Sequence, residues 1–197
     1  MSLWEIEEEY AARGYHLICG ADEAGAGPLA GAVYAAAVIL PLGVEIEGLN
    51  DSKKLTAKRR EALFDVIREK AVTWAINGVD VEEIDRINIL NARMKAMEMC
   101  INTLDPAPDF ALIDGNRDKG ITCPHLTVVK GDARSANIAA ASILAKVSRD
   151  RYMIAVDQVY PGYGFAQHKG YPTKAHYEAL RKLGPCPIHR RSFLKKL

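Results

Sequence analysis

The sequence predicts an α/β protein in which helices flank one mixed β-sheet. The chain has 197 residues, which suits one large domain, or one domain with a small appendage, around a sizeable core. Apolar runs of strand length follow one another directly near the N-terminus and are separated by helical patterns further along. Strands that arrive partly in succession and partly across helices are typical of a mixed sheet.

The first half of the chain supplies three predicted strands. The connection between the first two is short enough for an antiparallel pair, and Pro41 closes the second strand. Thr56 is placed to cap the helix that precedes the third strand. In chain order, we expect an acidic helix over 3–13, a buried strand over 16–23, a strand over 33–40, a helix over 56–71 and a strand over 72–79.

The second half alternates helices with two more strands. Pro106 and Pro108 end the first helix, and the segment 149–151 (Arg-Asp-Arg) marks where the alanine-rich helix meets water. Residues 160–172 form an aromatic, glycine-rich loop. In chain order, we expect a helix with an apolar core face (Leu90, Met94, Met97, Ile101, Leu104), strands over 110–115 and 126–129, a buried helix over 136–147 and an amphipathic helix over 173–183.

Overall charge does not indicate a nucleic-acid binder. The chain carries 26 basic and 25 acidic residues, a formal net charge of +1. Residues 168–197 are different, since they hold eight lysine and arginine residues against one glutamate. Such a basic end can attract a polyanion. From charge alone, a solvated C-terminal helix with basic residues in its last turn is the preferred interpretation.

Cysteine usage and the N-terminus indicate a soluble cytoplasmic protein. The four cysteines form no C-x-x-C pair, and two of them lie in apolar runs where a free thiol acts as a small hydrophobe. The N-terminus is acidic and unlike a signal peptide, and no apolar run approaches the roughly 18 residues of a membrane span.

The segment G-A-D-E-A-G-A-G-P-L-A-G, residues 20–31, places two adjacent carboxylates where a buried strand runs into glycine. Successive side chains of a regular strand point to opposite faces. Asp22 and Glu23 therefore share a site only if the backbone twists or ends there, and Gly25 and Gly27 supply that freedom.

Two further acids follow predicted strands. Asp114 ends a second apolar strand, and Asp132 follows a third and opens a helix. A sheet that pairs these strands in register gathers four carboxylates, with Asp22 and Glu23, at one edge. Such a cluster persists only if cations or protons compensate it, and Mg²⁺ or Mn²⁺ prefers this ligand set.

Each acid also has a plain structural interpretation. Asp132 can cap the helix that follows, Asp114 and Gly115 can form a turn, and Asp22 can be an ordinary strand-end acid. The joint pattern favours the metal site, because three buried strands that each deliver an acid are hard to obtain by chance.

Other site classes lack their motifs. The histidines lack H-E-x-x-H spacing and no cysteine pair is available, which argues against zinc. The phosphate-loop pattern G-x-x-x-x-G-K-[ST] is absent, and the glycine segment leads into another strand-like run instead of the helix that a dinucleotide fingerprint requires.

Several longer motifs, in order along the chain, resemble those of the type 2 ribonuclease H (ribonuclease HII) family. The resemblance runs from about residue 16 to Phe193. The matching segments are D-E-A-G-x-G-P-L-A-G, Asn50-Asp51-Ser52-Lys53-Lys54-Leu55, Ile113-Asp114-Gly115, Lys130-Gly131-Asp132, the helix 138–147, Gly170-Tyr171-Pro172-Thr173 and the stretch 184–193.

The resemblance implies the ribonuclease H fold, with a catalytic core over 1–160 and a loop-helix portion over 161–197 that contacts substrate within the same structural unit. It implies hydrolysis of the RNA strand in RNA/DNA hybrids and incision on the 5′ side of a single ribonucleotide in duplex DNA. These activities would serve ribonucleotide and RNA primer removal. The expected products are a 3′-hydroxyl and a 5′-phosphate.

The resemblance also implies roles for individual residues. The four acids Asp22, Glu23, Asp114 and Asp132 would hold two divalent ions about 4 Å apart, Mg²⁺ or Mn²⁺, which activate a water and stabilise the leaving oxygen. Backbone groups of the glycine segment would read the ribose 2′-hydroxyl, and the tyrosine would pack on the neighbouring deoxyribose. The expected substrate-binding residues are Gly25, Ala26, Gly27, Lys53, Lys54, Tyr171 and Arg191, with the lysines and the basic C-terminal stretch on phosphates.

One position departs from the family. Its usual glycine-arginine-glycine is Gly25-Ala26-Gly27 here, so a cation next to the recognised junction is missing. We expect the fold and the metal site to be unaffected and any loss to fall on substrate affinity.

Three alternatives remain open at this point. A different two-metal nuclease or strand-transferase on the same fold would share the acids but lack the ribonucleotide preference. A non-catalytic nucleic-acid-binding module would use the acids only as helix caps, and a metal-independent ribonuclease would use two histidines and the 2′-hydroxyl. We expect the chain to act as a monomer.

Overall fold

A computed structural model describes residues 2–50 and 52–194 of the chain. Asp51, in one of the motifs above, and Lys195 and Lys196, in the basic C-terminal stretch, lie outside the described residues. The helices are α1 (Glu5–Ala12), α2 (Ala57–Lys70), α3 (Val81–Ile87), α4 (Ile89–Thr103), α5 (Ala136–Val159), α6 (Phe165–His168) and α7 (Lys174–Leu183). The strands are β1 (Ile18–Ala24), β2 (Val33–Ile39), β3 (Thr73–Val79), β4 (Phe110–Asp114) and β5 (His125–Val128).

The five strands form one mixed sheet in the order β3-β2-β1-β4-β5. β1 pairs with β2, and β2 with β3, in antiparallel register, as the short first connection predicts. β4 runs parallel to β1 and β5 runs parallel to β4. The predicted α/β class and the five strands are therefore confirmed, and β1 and β4 end side by side at the same edge.

Helices cover both faces of the sheet. On β2, which lies between β3 and β1, Ala35 and Ala37 pack into the core cluster formed with α4, whereas Ala36 and Val38 pack into the cluster formed with α2 and α5. Because β2 is buried on both faces, it is apolar at nearly every position instead of alternating. Helix α5 also lies directly on β1, since a Cβ on Gly20 would fall 2.2 Å from the backbone of α5.

The structure corrects three details of the sequence analysis. Helix α5 continues past the 149–151 segment to Val159, and only Arg151 of that segment is exposed, whereas Arg149 is fully buried. Leu90, predicted on the core face of α4, is exposed, whereas Met94 and Met97 further along that face are buried. Helix α3, which Asp80 caps, was not expected.

The C-terminal part packs on the far end of α5. Leu29, Met153, Phe165 and Leu180 form a separate apolar cluster there. The predicted aromatic loop and the last amphipathic helix, α7, are thus attached to the core through the second half of α5. Among the described residues, no helix combines the length and the apolar character needed to cross a bilayer.

Candidate active site

The four predicted acids come from three neighbouring elements. Asp22 and Glu23 lie in β1, which ends one residue later. Asp114 is the last residue of β4, and the parallel register of Ala21 with Ile113 puts it beside Asp22. Asp132 lies in a 3₁₀ turn, Gly131–Ala133, between β5 and α5.

Asp132 is not the cap of the helix that follows it. The side chain of Ser135 caps α5 by accepting a hydrogen bond from the backbone N–H of Ile138 at 3.1 Å. The turn itself is fixed by Asp114, whose Oδ1 accepts a hydrogen bond from the Gly131 N–H at 2.7 Å. Asp114 is therefore hydrogen-bonded to the residue that directly precedes Asp132.

The carboxylates share one electrostatic field. Asp22 is buried, and burial raises its pKa well above the ordinary value, with further increases from the charges of Glu23, Asp114 and Asp132. Burial also raises the pKa of Glu23, partly offset by the positive charge of Arg93. A cation bound among these carboxylates would stabilise their charged forms and lower the same pKa values.

Two basic side chains already compensate part of this charge. Arg93 of α4 places Nη1 3.1 Å from Oε1 of Glu23, and both side chains are largely buried. The exposed Lys53 places its Nζ 3.3 Å from Oδ2 of the buried Asp132. Lys54 follows on the same short 3₁₀ turn and is exposed.

The donor chemistry fits a hard divalent cation. The cluster offers carboxylate oxygens alone, the ligands that Mg²⁺ and Mn²⁺ prefer. Within residues 2–50 and 52–194, no group of three or more His, Cys, Asp or Glu side chains is already arranged as a metal cage. Lys53 and Arg93 each pair with one of the acids, Asp132 and Glu23.

The glycine segment lies beside the acids and beneath Tyr171. Gly25 has φ +94°, and a Cβ there would fall 1.9 Å from Nε of Arg149, so only glycine fits. A Cβ on the exposed Gly27 would lie 3.9 Å from the ring of Tyr171. Tyr171 is 39% exposed, and the centroid of its ring lies 5.7 Å from the guanidinium carbon of Arg149. The structure thus brings the glycine segment and the predicted tyrosine together.

Three arginines of this region were missed by sequence reasoning: Arg93, Arg149 and Arg190. Arg190 is fully buried and contacts the glycine segment, whereas the predicted Arg191 is exposed and is held through its backbone N–H by Asp85 at 2.8 Å. An arginine between two buried apolar residues of α4 is a weak signal for Arg93. No periodicity distinguishes Arg190 from Arg191.

Comparisons with known proteins agree on one family. Residues 19–196 match the family model described as Ribonuclease HII. A ribonuclease HII from Acetivibrio thermocellus is 58% identical over 189 residues, which cover 96% of this chain and 74% of that protein.

Solved structures give the same result. The ribonuclease H2 of Pyrococcus horikoshii has a TM-score of 0.75 and 28% identity, covering 90% of this chain and 93% of its own. The RNase HII of Archaeoglobus fulgidus, solved in a complex with PCNA, has a TM-score of 0.78 and 25% identity, covering 92% and 95%. A Bst-RNase HIII solved with Mn²⁺ shares the fold at 18% identity, with a TM-score of 0.63 and coverage of 85% and 63%.

Proposed function

The chain belongs to the ribonuclease HII family, and we propose that it incises duplex DNA on the 5′ side of a single embedded ribonucleotide. Family membership makes it a metal-dependent endoribonuclease that acts on RNA/DNA hybrids. The finer specificity, the ions and the residue roles are argued below from the contacts at the edge of β1 and β4.

We assign the metal-ligand role to Asp22, Glu23, Asp114 and Asp132. Two divalent ions, Mg²⁺ or Mn²⁺, would supply activation of the attacking water and stabilisation of the leaving 3′ oxygen when bound. The support is the shared electrostatic field of the four carboxylates and the raised pKa of Asp22 and Glu23. Products with a 3′-hydroxyl and a 5′-phosphate follow from this chemistry.

The protein's own cations act on the same acids. Arg93 pairs with Glu23 and holds it against α4, so a metal ion has to compete with this guanidinium for the carboxylate. Lys53 is exposed on its turn and can exchange Asp132 for a phosphate of the nucleic acid. Lys54 and Arg191, both exposed, would hold further phosphates and contribute affinity that depends on salt but not on sequence.

The glycine segment supplies the groups that read the ribose. Among the described residues, the backbone N–H groups of Ala26 and Gly27 donate to no other protein atom, which leaves both available to a ligand. The 2′-hydroxyl is the group that distinguishes a ribonucleotide from a deoxyribonucleotide at one site. The ring of Tyr171, beside Gly27, offers a flat surface for the neighbouring sugar.

The observation that carries the proposal is the position of these two available N–H groups, three and four residues along the chain from Glu23. We would incubate the protein with three end-labelled duplexes, one all-DNA, one with a single ribonucleotide and one RNA/DNA hybrid, in Mg²⁺, in Mn²⁺ and with chelator. We expect metal-dependent cleavage of the last two only. Cleavage that survives chelator would support the metal-independent alternative, and cleavage of all-DNA would support a general two-metal nuclease.

Calorimetric titration with Mn²⁺ tests the metal site separately from cleavage. We expect saturable binding that Asp114→Asn weakens at least tenfold, because this change removes a central carboxylate. Identical titrations of the parent and the variant would favour a non-catalytic binding module.

The alanine at position 26 affects substrate affinity in this account. Ala26→Arg is expected to lower KM for the single-ribonucleotide duplex with kcat nearly unchanged, since it adds a cation near the junction but no catalytic group. An unchanged KM with a much higher kcat would contradict this assignment.

A further inference from the structure

Arg190 makes an unusual set of contacts beneath the glycine segment. Its side chain is fully buried, and its Nη2 donates to the carbonyl of Gly25 at 2.7 Å. Nη1 donates to the carbonyl of Ala26 at 3.0 Å. Nε and Nη2 both donate to the carbonyl of Gly31, at 2.9 and 2.7 Å. One guanidinium therefore binds three backbone carbonyls at the two ends of one loop.

This arrangement is costly for a charged group. Among the described residues, no carboxylate forms an ion pair with Arg190. Burial lowers its pKa to about 9, helped by the positive charge of Arg149 nearby. A buried charge without an ionic partner destabilises a fold unless hydrogen bonds satisfy it. The three carbonyls supply that satisfaction, so this arginine and the loop conformation depend on each other.

We propose that Arg190 is the positioning residue of the loop at residues 25–31, here called the reading loop, and that it fixes this loop without help from a side chain at position 26. The inference rests on the function proposed above. By drawing the carbonyls of Gly25 and Ala26 inward, the guanidinium leaves the N–H groups of Ala26 and Gly27 directed away from it, toward the substrate side.

Neighbouring contacts hold the same loop at its other positions. The N–H of Arg190 donates to the carbonyl of Leu29, and the N–H of Leu29 donates to the carbonyl of Gly170, each at 2.8 Å. Arg149 donates to the carbonyls of Ala30 and Ala32 at 3.2 and 3.1 Å. The reading loop therefore lies between the C-terminal segment and the segment that carries Tyr171, and Arg190 is its contact at Gly25 and Ala26.

The test separates selectivity from folding and from metal binding. Arg190→Lys keeps a positive charge but loses the planar fork that serves three carbonyls, and Arg190→Met removes the charge. Arg59→Met is the matched control, because Arg59 also donates to a backbone carbonyl, that of Glu47, beside a glycine with positive φ, Gly48. Arg59 and Glu47 are both exposed, so this contact lies on the protein surface.

The readout is affinity by fluorescence anisotropy in Ca²⁺, for a duplex with one ribonucleotide and for the all-DNA duplex of the same sequence. We expect both Arg190 variants to lose at least tenfold in the ratio of the two affinities, while affinity for all-DNA changes less than twofold. Mn²⁺ titration should stay within twofold of the parent, and Arg59→Met should keep the parental ratio.

Chemical rescue distinguishes a direct role of the Arg190 guanidinium in positioning the loop from a general contribution of this residue to folding. In Arg190→Ala, millimolar guanidinium should restore part of the affinity ratio, whereas sodium chloride at the same concentration should not. Variants that fold, bind Mn²⁺ and keep the parental ratio would overturn the assignment of Arg190. A parent that binds both duplexes equally would instead overturn the proposed function.

Discussion

Replacing Asp22 with asparagine should stabilise the metal-free protein while abolishing its activity. Asp22 is only 6% exposed, and its neighbours Glu23, Asp114 and Asp132 all carry the same charge. Asparagine keeps the short hydrogen bond in which Oδ1 accepts from the Glu23 N–H at 2.7 Å. The substitution therefore removes the buried charge and little else.

The size of the effect follows from the cost of that charge. An ionised carboxylate that is buried without a partner costs several kcal/mol even after the protein relaxes around it, and we expect about 2 kcal/mol to be recovered. For a domain of this length, that corresponds to a rise in Tm of about 4–8 °C.

The gain should depend on pH in a defined direction. Because the folded-state pKa of Asp22 is raised above its ordinary value of 3.8, the folded protein binds this proton more tightly than the unfolded chain. The resulting stability is present below pH 3.8 and is lost as pH rises through the folded-state pKa. The asparagine side chain of the variant does not titrate and has no such loss, so the advantage of Asp22→Asn should be small in acid and grow toward neutral pH.

The assay is thermal unfolding in chelator from about pH 4 to about pH 8. Asp65→Asn is the control, since the Asp65 side chain is 76% exposed beside Arg68 on α2, and its effect should stay within about 0.5 kcal/mol. A variant at Asp22 that is less stable than the parent at neutral pH, or equally more stable at every pH, would refute the reasoning.

Two other substitutions probe the surroundings of the acids. Arg93→Met should tighten Mn²⁺ binding at least threefold in calorimetry, because it removes a cation that competes for Glu23. The control is Arg86→Met, which breaks an exposed ion pair and should leave the titration unchanged. Weaker Mn²⁺ binding by Arg93→Met would mean instead that Arg93 orients Glu23 for the metal. Gly25→Ala should lower the free energy of unfolding by about 2–4 kcal/mol, since it combines a positive φ with a Cβ only 1.9 Å from Nε of Arg149. Chemical denaturation measures this free energy, and a loss below about 0.5 kcal/mol would contradict the close contact.

The strands and the acids were accessible to sequence reasoning for a physical reason. Apolar runs closed by Pro41 or by an acid carry their signal within a few residues, and the structure places each strand within about two residues of its prediction. The convergence of Asp22 and Asp114 also followed, because neighbouring strands that end together bring their last residues together. The role of these acids as metal ligands stays a proposal.

The arginines were not accessible in the same way. Arg149 follows an apolar helical stretch, and a charged triplet is normally a helix end in water, yet here its guanidinium is buried against the carbonyls of Ala30 and Ala32. Arg190 and Arg191 are adjacent and identical in type, and only the tertiary fold decides which one turns inward. Contacts between residues so far apart in the chain leave no local pattern.

The central claim is that this chain recognises one ribonucleotide in DNA and cuts on its 5′ side through the four acids. The most direct test is single-turnover cleavage of a labelled DNA duplex with one ribonucleotide, with the cut mapped to the nucleotide and its termini identified, for the parent and for Asp114→Asn. We expect one metal-dependent cut that leaves a 3′-hydroxyl on one product and a 5′-phosphate on the other, with the ribonucleotide as the 5′-terminal residue of the second. The cleavage rate should be at least a hundredfold lower in the variant. A cut on the 3′ side of the ribonucleotide, or a variant as fast as the parent, would contradict it.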